Sequence, residues 1–198
     1  KAVRSEGLKF GVSYHRIENW DFMSPAKGVK NDLYDPEYAG LYGPPQKPSV
    51  YGSAMGPGFD KNGNPVHPQN DAFLEEWLAR AEEIVTKYQP DLFYFDNGVN
   101  SRSLDPWKLR FAQYYYNSAA KWGRSVSIQT KSDAYLYGNI KDYERESRAP
   151  KTIESKYWQV DDPIGNKFGH IEGLQLQSAG NVIGSLVNNI SKNGNIGP

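Results

Sequence analysis

The chain has 198 residues, 23 Lys and Arg against 23 Asp and Glu, and no cysteine. That length suits one sizeable core rather than two typical domains. The balanced charge gives no basic surplus for nucleic acid or an anionic membrane, and the missing cysteines exclude a disulfide framework, a CxxC redox motif and a thiolate zinc site. The opening KAVRSEGLKFG lacks a charged n-region followed by an apolar h-region, and no apolar run approaches the roughly 20 residues of a membrane span.

In chain order, KAVRSEG is helix-like with Gly7 suited to the position after its end, and LKFGVSY (8–14) is β-prone. From Trp20 to about Gln69 the composition shifts to Pro, Gly, Asn, Tyr and Asp, and no periodic pattern survives. So long a connection inside one domain is expected to be an ordered loop that helps wall a site. Residues 71–88 predict the clearest helix, with Leu74, Trp77, Leu78, Ala81, Ile84, Val85 and Tyr88 at helical spacing and Asp71 as its N-cap. Pro90 stops it, and residues 91–96 read as a fully buried strand. A second helix is expected from Asp105 (N-cap) and Pro106 to Trp122, ended by Gly123, then a strand at 125–130. A last helix is expected over about 178–191, with Val182, Ile183, Leu186, Val187 and Ile190 facing inward. Helices alternating with strands predict an α/β fold of parallel βαβ units, whose strand-end loops share one face. A complete eightfold barrel needs about 250 residues, so the chain reads as part of one.

The residues that could carry chemistry lie at those strand ends. Asp96 terminates Leu92-Phe93-Tyr94-Phe95 and precedes Asn97-Gly98. A carboxylate there is either a rim group that does chemistry or a turn former. Asp142-Tyr143-Glu144-Arg145-Glu146 is either a solvated charged stretch or the second carboxylate of a sugar-cleaving pair. His15 ends its strand as either a structural or a binding residue. With three His at no ligand spacing, a His-based metal site has no support. No GxGxxG, GxxxxGK[ST] or GxSxG is present. The 14 Tyr, 5 Trp and 8 Phe are more than a core of this size requires, and their excess leans toward carbohydrate, whose rings have apolar faces that stack on aromatics.

GLKFGVSYHRIENW, KYQPDLFYFDNG, DYERE, YWQVDD and SKNGN with a terminal NIGP occur in one order across the chain. That order resembles the α-L-fucosidases of glycoside hydrolase family 29. The resemblance implies a (β/α)8 TIM-like barrel, incomplete here, forming a single catalytic domain over 1–198. It also implies a retaining exo-glycosidase that removes terminal α-L-fucose from a fucosylated oligosaccharide or glycoconjugate without cofactor or metal. In this family the strand reading Y-x-P-D…D ends on the nucleophile, and Asp96 matches it. His15, in Val12-Ser13-Tyr14-His15, is implied to bind sugar hydroxyls, with Trp20 near the pocket. Lys131 is implied to face the site and help keep Asp96 ionised, and Tyr94, Trp158 and Phe168 to contact the sugar.

The acid/base position varies among members. Some carry Glu directly after the Trp of a W-[EQ] segment, where this chain has Trp158-Gln159. Glutamine cannot cycle a proton, which leaves Glu144, with Glu146 in reserve where a glycine is usual. Two other departures stand out: no upstream His-rich strand end is matched, and Ser191–Asn195 runs directly into Ile196-Gly197-Pro198 without the apolar residues of the family's last strand. Upstream strands and part of the last strand are therefore expected to be absent from these residues. A bacterial periplasmic or secreted location is the expectation. A non-catalytic sugar-binding protein on the same barrel, or a retaining glycosidase of different sugar specificity, is the alternative.

Overall fold

The computed structural model describes residues 2–20, 30–32, 35–42, 69–131, 134–135, 139–169 and 171–197. Most of the long loop expected over 20–69 lies outside the described residues. The side chains of Trp20 and Glu146 also lie outside them.

Six strands, β1 (Gly11–Tyr14), β2 (Leu92–Phe95), β3 (Ser127–Lys131), β4 (Asn139–Glu144), β5 (Trp158–Asp161) and β6 (Gly194–Gly197), form one sheet in sequence order. Every adjacent pair is parallel. The sheet is curled, a half-barrel consistent with part of a TIM-like barrel. The helices are α1 (Ala2–Ser5), α2 (Ala39–Tyr42), α3 (Asp71–Tyr88), α4 (Asp105–Lys121) and α5 (Ala179–Ile190). α3 and α4 fall in the first two crossovers and α5 in the last, whereas β3, β4 and β5 follow one another with no α-helix between them among the described residues. The βα alternation inferred from sequence is thus broken in the middle of the sheet.

One corrected expectation explains how the site is built. β2 is not buried on both faces: Phe93 and Phe95 are fully buried, while Leu92 and Tyr94 are partly exposed. Successive side chains of a strand point to opposite faces. Phe93 and Phe95 therefore join Tyr14 and Ile128 against Trp77, Leu78, Ala81 and Val85 of α3 and Phe111 and Tyr115 of α4. The rings of Phe93 and Phe111 meet edge-on at 4.7 Å, a preferred arrangement of their quadrupoles. This places the apolar core behind the sheet and leaves the concave face polar.

Helix boundaries follow the sequence closely. The cap of α3 is Asn70, not Asp71: Phe73 N–H donates to Asn70 Oδ1 at 2.9 Å. α4 begins at Asp105 without a side-chain cap. Ser178 caps α5 through Asn181 N–H. The apolar stripe of α5 is not inward as expected, since Ile183, Val187 and Ile190 are exposed. Among the described elements, α5 packs chiefly on the edge strand β6.

Asp91, one residue before β2, ties the strands at their amino ends. Its carboxylate accepts from Phe10 N–H at 2.9 Å and pairs with Arg124 at 3.0 Å. Burial alone would raise its pKa, but the Phe10 amide and the Arg124 and Arg4 guanidiniums outweigh that and hold it below the usual carboxylate value. At the other end of the sheet, β6 forms despite its brevity, and the Trp158 ring lies across Gly194, where any Cβ would meet the ring at 2.3 Å.

Candidate active site

The carboxyl ends of β1 to β5 deliver one row of polar side chains to the concave face. Tyr94 and Asp96 share this face because they are two residues apart along β2. The same holds for Ser13 and His15, Gln129 and Lys131, Asp142 and Glu144, and Gln159 and Asp161, each pair along its own strand. At the rim, the ammonium of Lys131 stands 2.7 Å from Asp96 Oδ1, 3.2 Å from Asp161 Oδ2 and 3.7 Å from Glu144 Oε2. Asp96 and Glu144, proposed from sequence for the two catalytic roles, thus converge on one cation. Burial would lower the pKa of Lys131, but its hydrogen bond with Asp96 and the charges of Asp96, Asp161 and Glu144 raise it instead. Lys131 is a fixed positive charge with its side chain only 10% exposed.

Below that ring, the Tyr94 hydroxyl donates toward Asp96 Oδ1 at 3.3 Å and Asp161 Oδ2 at 3.4 Å. Burial and the surrounding carboxylates push its pKa upward, so it remains a protonated donor. Deeper still lies Asp142, 2% exposed, whose Oδ2 accepts from Gln129 Nε2 at 2.7 Å and Gln159 Nε2 at 3.4 Å. Burial, then the negative charge of Asp161, pushes its pKa up to about 7. A raised pKa is what a general acid needs, but Asp142 is almost fully buried and its Oδ2 is taken by two amides. Glu144, with 22% of its side chain exposed, is the accessible carboxyl on β4, and Arg148 approaches it at 3.7 Å.

His15 occupies the open edge of the ring. Its Nδ1 is 3.1 Å from Glu18 Oε1 and 3.4 Å from Asp96 Oδ2, and its Nε2 is 2.8 Å from Ser13 Oγ. With Nδ1–H donated to Glu18, the neutral ring has Nε2 free to accept from the Ser13 hydroxyl. The Glu18 hydrogen bond raises the His15 pKa above its ordinary value, against the opposing effect of burial. Any stability this gives is present below the unfolded-state value and lost as pH rises through the higher folded value. Glu18→Gln is expected to move the His15 titration to lower pH, as followed by NMR of the imidazole protons; an unmoved titration would mean the pairing is not formed in solution.

Asn97 and Gly98 make the turn that follows Asp96, with Gly98 at φ +84° and 3.1 Å from Ile17 at the place a Cβ would occupy. The turn of this segment is made by Asn97 and Gly98, and Asp96 stands at the strand end before it. A cavity of about 330 Å³ lies beside Lys131 and Glu144, lined by Asn97, Lys131, Lys141, Asp142, Tyr143, Glu144 and Arg148; Asp96 and Asp161 are not part of its lining. Larger cavities beside α5 and behind Trp158 each contain a single carboxylate and no comparable cluster. His15, Glu18 and Asp96 present ligand atoms within 4.8 Å of one another, a spacing that fits a divalent cation, although the Lys131 ammonium already stands against Asp96.

One residue expected at the sugar lies on the other face of the sheet. Trp158 is on the opposite face of β5, 3% exposed, with its indole N–H donated to Lys192 O and its ring edge-on to Tyr143. The pleat sends Gln159 and Asp161 inward and Trp158 outward. Phe168 sits in the segment after β5 beneath the Arg145 guanidinium at 4.7 Å. The Asp142–Glu146 segment is also not a solvated charged loop: Asn139–Glu144 is a strand. Asp161 and Glu18 carry no role in the sequence reading, and Asp142 enters it only as part of the charged stretch Asp142–Glu146. A signal for Asp161 was present in Trp158-Gln159-Val160-Asp161, a strict two-residue alternation of apolar and polar side chains.

The family model for alpha-L-fucosidase matches residues 1–196. A solved structure described as an alpha-L-fucosidase superposes with a TM-score of 0.65 at 20% identity, over 98% of this chain and 37% of its own. The Thermotoga maritima alpha-fucosidase in complex with fucose gives 0.60 at 19% identity, over 98% and 36%. The same enzyme in complex with a mechanism-based inhibitor gives 0.60 at 20%, over the same shares. At these identities the likeness bears on the fold. The chain spans little more than a third of the length of these structures. No curated protein sequence matches it.

Proposed function

The chain belongs to the alpha-L-fucosidase family, and from that premise we propose that it carries the catalytic face of a retaining exo-α-L-fucosidase acting on fucosylated glycans. The observation that carries this reading is the convergence of Asp96 and Glu144 on the Lys131 ammonium. In a retaining glycosidase the two carboxyls lie about 5–5.5 Å apart, one attacking and one handling the proton. A double displacement needs a nucleophilic carboxylate and a proton-carrying carboxyl on one face, a requirement that a sugar-binding module does not have.

The proposed roles follow from environment. Asp96, held ionised by Lys131 at 2.7 Å, attacks the anomeric carbon. The leaving oxygen departs with the proton of Glu144, and a fucosyl ester on Asp96 results. Glu144, now ionised, removes a proton from water, which attacks the same carbon, releases fucose with retained configuration and restores both carboxyls. Lys131 and the Tyr94 hydroxyl stabilise Asp96 as carboxylate before attack and again as leaving group in the second step. His15, at the open edge, is placed to hydrogen-bond a sugar hydroxyl. The six-stranded half-barrel is, on this reading, part of a (β/α)8 barrel.

The full-length protein is expected to release aryl alcohol from an aryl α-L-fucoside much faster than from the corresponding α-D-glucoside or β-D-galactoside. Cleavage of a different glycoside in preference would keep the mechanism and discard the substrate. No cleavage of any glycoside would leave a sugar-binding barrel.

A further inference from the structure

Beneath the rim, Asp142 and Asp161 are held in the same unusual way. Each has one oxygen fully engaged: Asp142 Oδ2 by the Gln129 and Gln159 amides, Asp161 Oδ2 by Lys131 and the Tyr94 hydroxyl. Each has its other oxygen, Oδ1, buried and without a hydrogen-bond donor among the described residues. The register sets these two side chains on one face. Asp142 pairs with Gln159 and Glu144 with Asp161, so Asp142 and Asp161 are diagonal neighbours there, and a side-chain hydrogen bond with Asp161 is one of the influences that raise the Asp142 pKa. Two carboxylate oxygens cannot hydrogen-bond each other without a proton between them, and leaving both bare and charged in a buried place is costly.

We infer that Asp142 and Asp161 share one proton, carried by Asp142, and that Asp142 is thereby a positioning residue. The proton links Oδ1 to Oδ1 and fixes Asp161 so that its other oxygen stays on Lys131 and Tyr94. Those two groups in turn hold Asp96. The inference rests on the fucosidase reading for its catalytic consequence but not for the proton itself.

The surroundings agree in sign. The groups facing Asp142 are Asp161 from β5, Lys131 and Gln129 from β3, Tyr94 from β2, Gln159 from β5 and Glu144 on its own strand. Lys131 is the cation that lowers the Asp142 pKa, and it is already shared by Asp96, Asp161 and Glu144. The two amides on Oδ2 donate but carry no charge. Burial and the Asp161 charge place the loss of the proton at a pH of about 7. Above that pH the two carboxylates repel. A shift of either one loosens the contact between Asp161 and Lys131, and Lys131 loses a partner that fixes its place. The structure therefore builds in an alkaline limit to activity.

Asparagine reproduces the protonated state, since its Nδ2–H can donate to Asp161 Oδ1 at any pH. In the full-length protein, infrared spectra across pH 5 to 9 should show, apart from any band that Glu144→Gln removes, one buried protonated carboxyl that titrates near neutrality. The band is expected to vanish in Asp142→Asn and to titrate at lower pH in Asp161→Asn, where the repelling charge is gone. Absence of the band in the wild type, or its persistence in folded Asp142→Asn, would overturn the shared proton whether or not the protein cleaves fucosides. If Asp142→Asn does not fold, the shift in Asp161→Asn decides: an unshifted band overturns the pairing. For the catalytic consequence, the alkaline limb of kcat/KM on an aryl α-L-fucoside should move up by about one pH unit or more in Asp142→Asn. An unmoved limb in an active, folded variant would overturn the positioning role. Failure of the wild type to cleave the fucoside would instead count against the proposed function and leave the infrared result standing.

Discussion

Asp96→Ala is expected to lower turnover of an aryl α-L-fucoside by about 10³-fold or more, because the covalent route disappears with the carboxylate that defines it. The fold should survive. Lys131 keeps Asp161 and Glu144 as counter-charges, and the Asp96 side chain takes no part in the apolar core behind the sheet. The more telling part of the result is chemical. The alanine leaves room beside the anomeric carbon for a small anion, and azide supplied with an activated fucoside should restore part of the rate. A single displacement by azide inverts the anomeric centre, so the product should be the β-fucosyl azide. Near-normal turnover by the variant would assign the wrong nucleophile, and rescue with retained configuration would mean that another group still forms a covalent ester.

Lys131→Gln should have the second largest effect, with a reach beyond activity. Three carboxylates approach this ammonium, at 2.7, 3.2 and 3.7 Å. Attraction over such distances is about 4–6 kcal/mol per pair before desolvation is subtracted, at the effective dielectric of a partly buried site. Without the ammonium the cluster has only His15 beside Asp96 and Arg148 beside Glu144 as nearby cations. The carboxylates then hold protons more tightly in the folded state than in the unfolded chain. The folded state of the variant binds the extra protons, so its stability falls as pH rises through the carboxylate range. Lys131→Gln should therefore match the wild type most nearly near pH 4 and fall behind it progressively toward pH 8. Its kcat/KM should drop about 10²-fold, with the acid limb moved to higher pH. In the wild type the raised Lys131 pKa keeps the cation in place throughout this range, and its contribution is lost only as pH rises through a value above that of an ordinary lysine. A thermal-stability deficit that is flat with pH would show that Lys131 is held by packing rather than by the carboxylates. Lys131→Arg, which keeps the charge, should recover more of the stability than of the rate, because a planar guanidinium does not reproduce three contacts to one nitrogen.

The sequence made some of this legible and hid the rest for identifiable reasons. α3 and α4 were readable because their apolar residues recur at helical spacing and a Pro or Gly closes each end. β2 was readable as a strand but not as a two-faced one. All four of its residues, Leu92 to Phe95, are apolar or aromatic, and only the structure shows that Tyr94 turns its hydroxyl into the site. β4 and β5 were the harder case. A barrel strand whose inner face is polar and whose outer face carries Lys141 and Tyr143 has no apolar alternation to detect, so Asn139–Glu144 looks like a charged loop. That polarity is the mark of the site itself. Asp142, buried within a stretch that reads as solvated, is the clearest instance. α5 shows the reverse: its stripe predicts burial as a pattern, but among the described elements it packs chiefly on β6.

The family's own variability accounts for the remaining gap. Trp158-Gln159 suggested a sugar-facing Trp and a lost acid, whereas the pleat turns Trp158 to the outer face and makes Gln159 a donor to Asp142. Glu144 was chosen by elimination from the resemblance. The structure adds a geometric reason, its place beside Lys131 on the same face as Asp96.

The account stands on Asp96 as the atom that bonds to the sugar. Incubation of the full-length protein with a 2-deoxy-2-fluoro-α-L-fucosyl donor bearing a good leaving group slows both steps and lets the ester accumulate. Peptide mass spectrometry should then find one fluorofucosyl group, on Asp96 within Tyr88–Gly98. A label on Glu144, Asp161 or any other residue, or time-dependent turnover with no covalent adduct, would contradict the account.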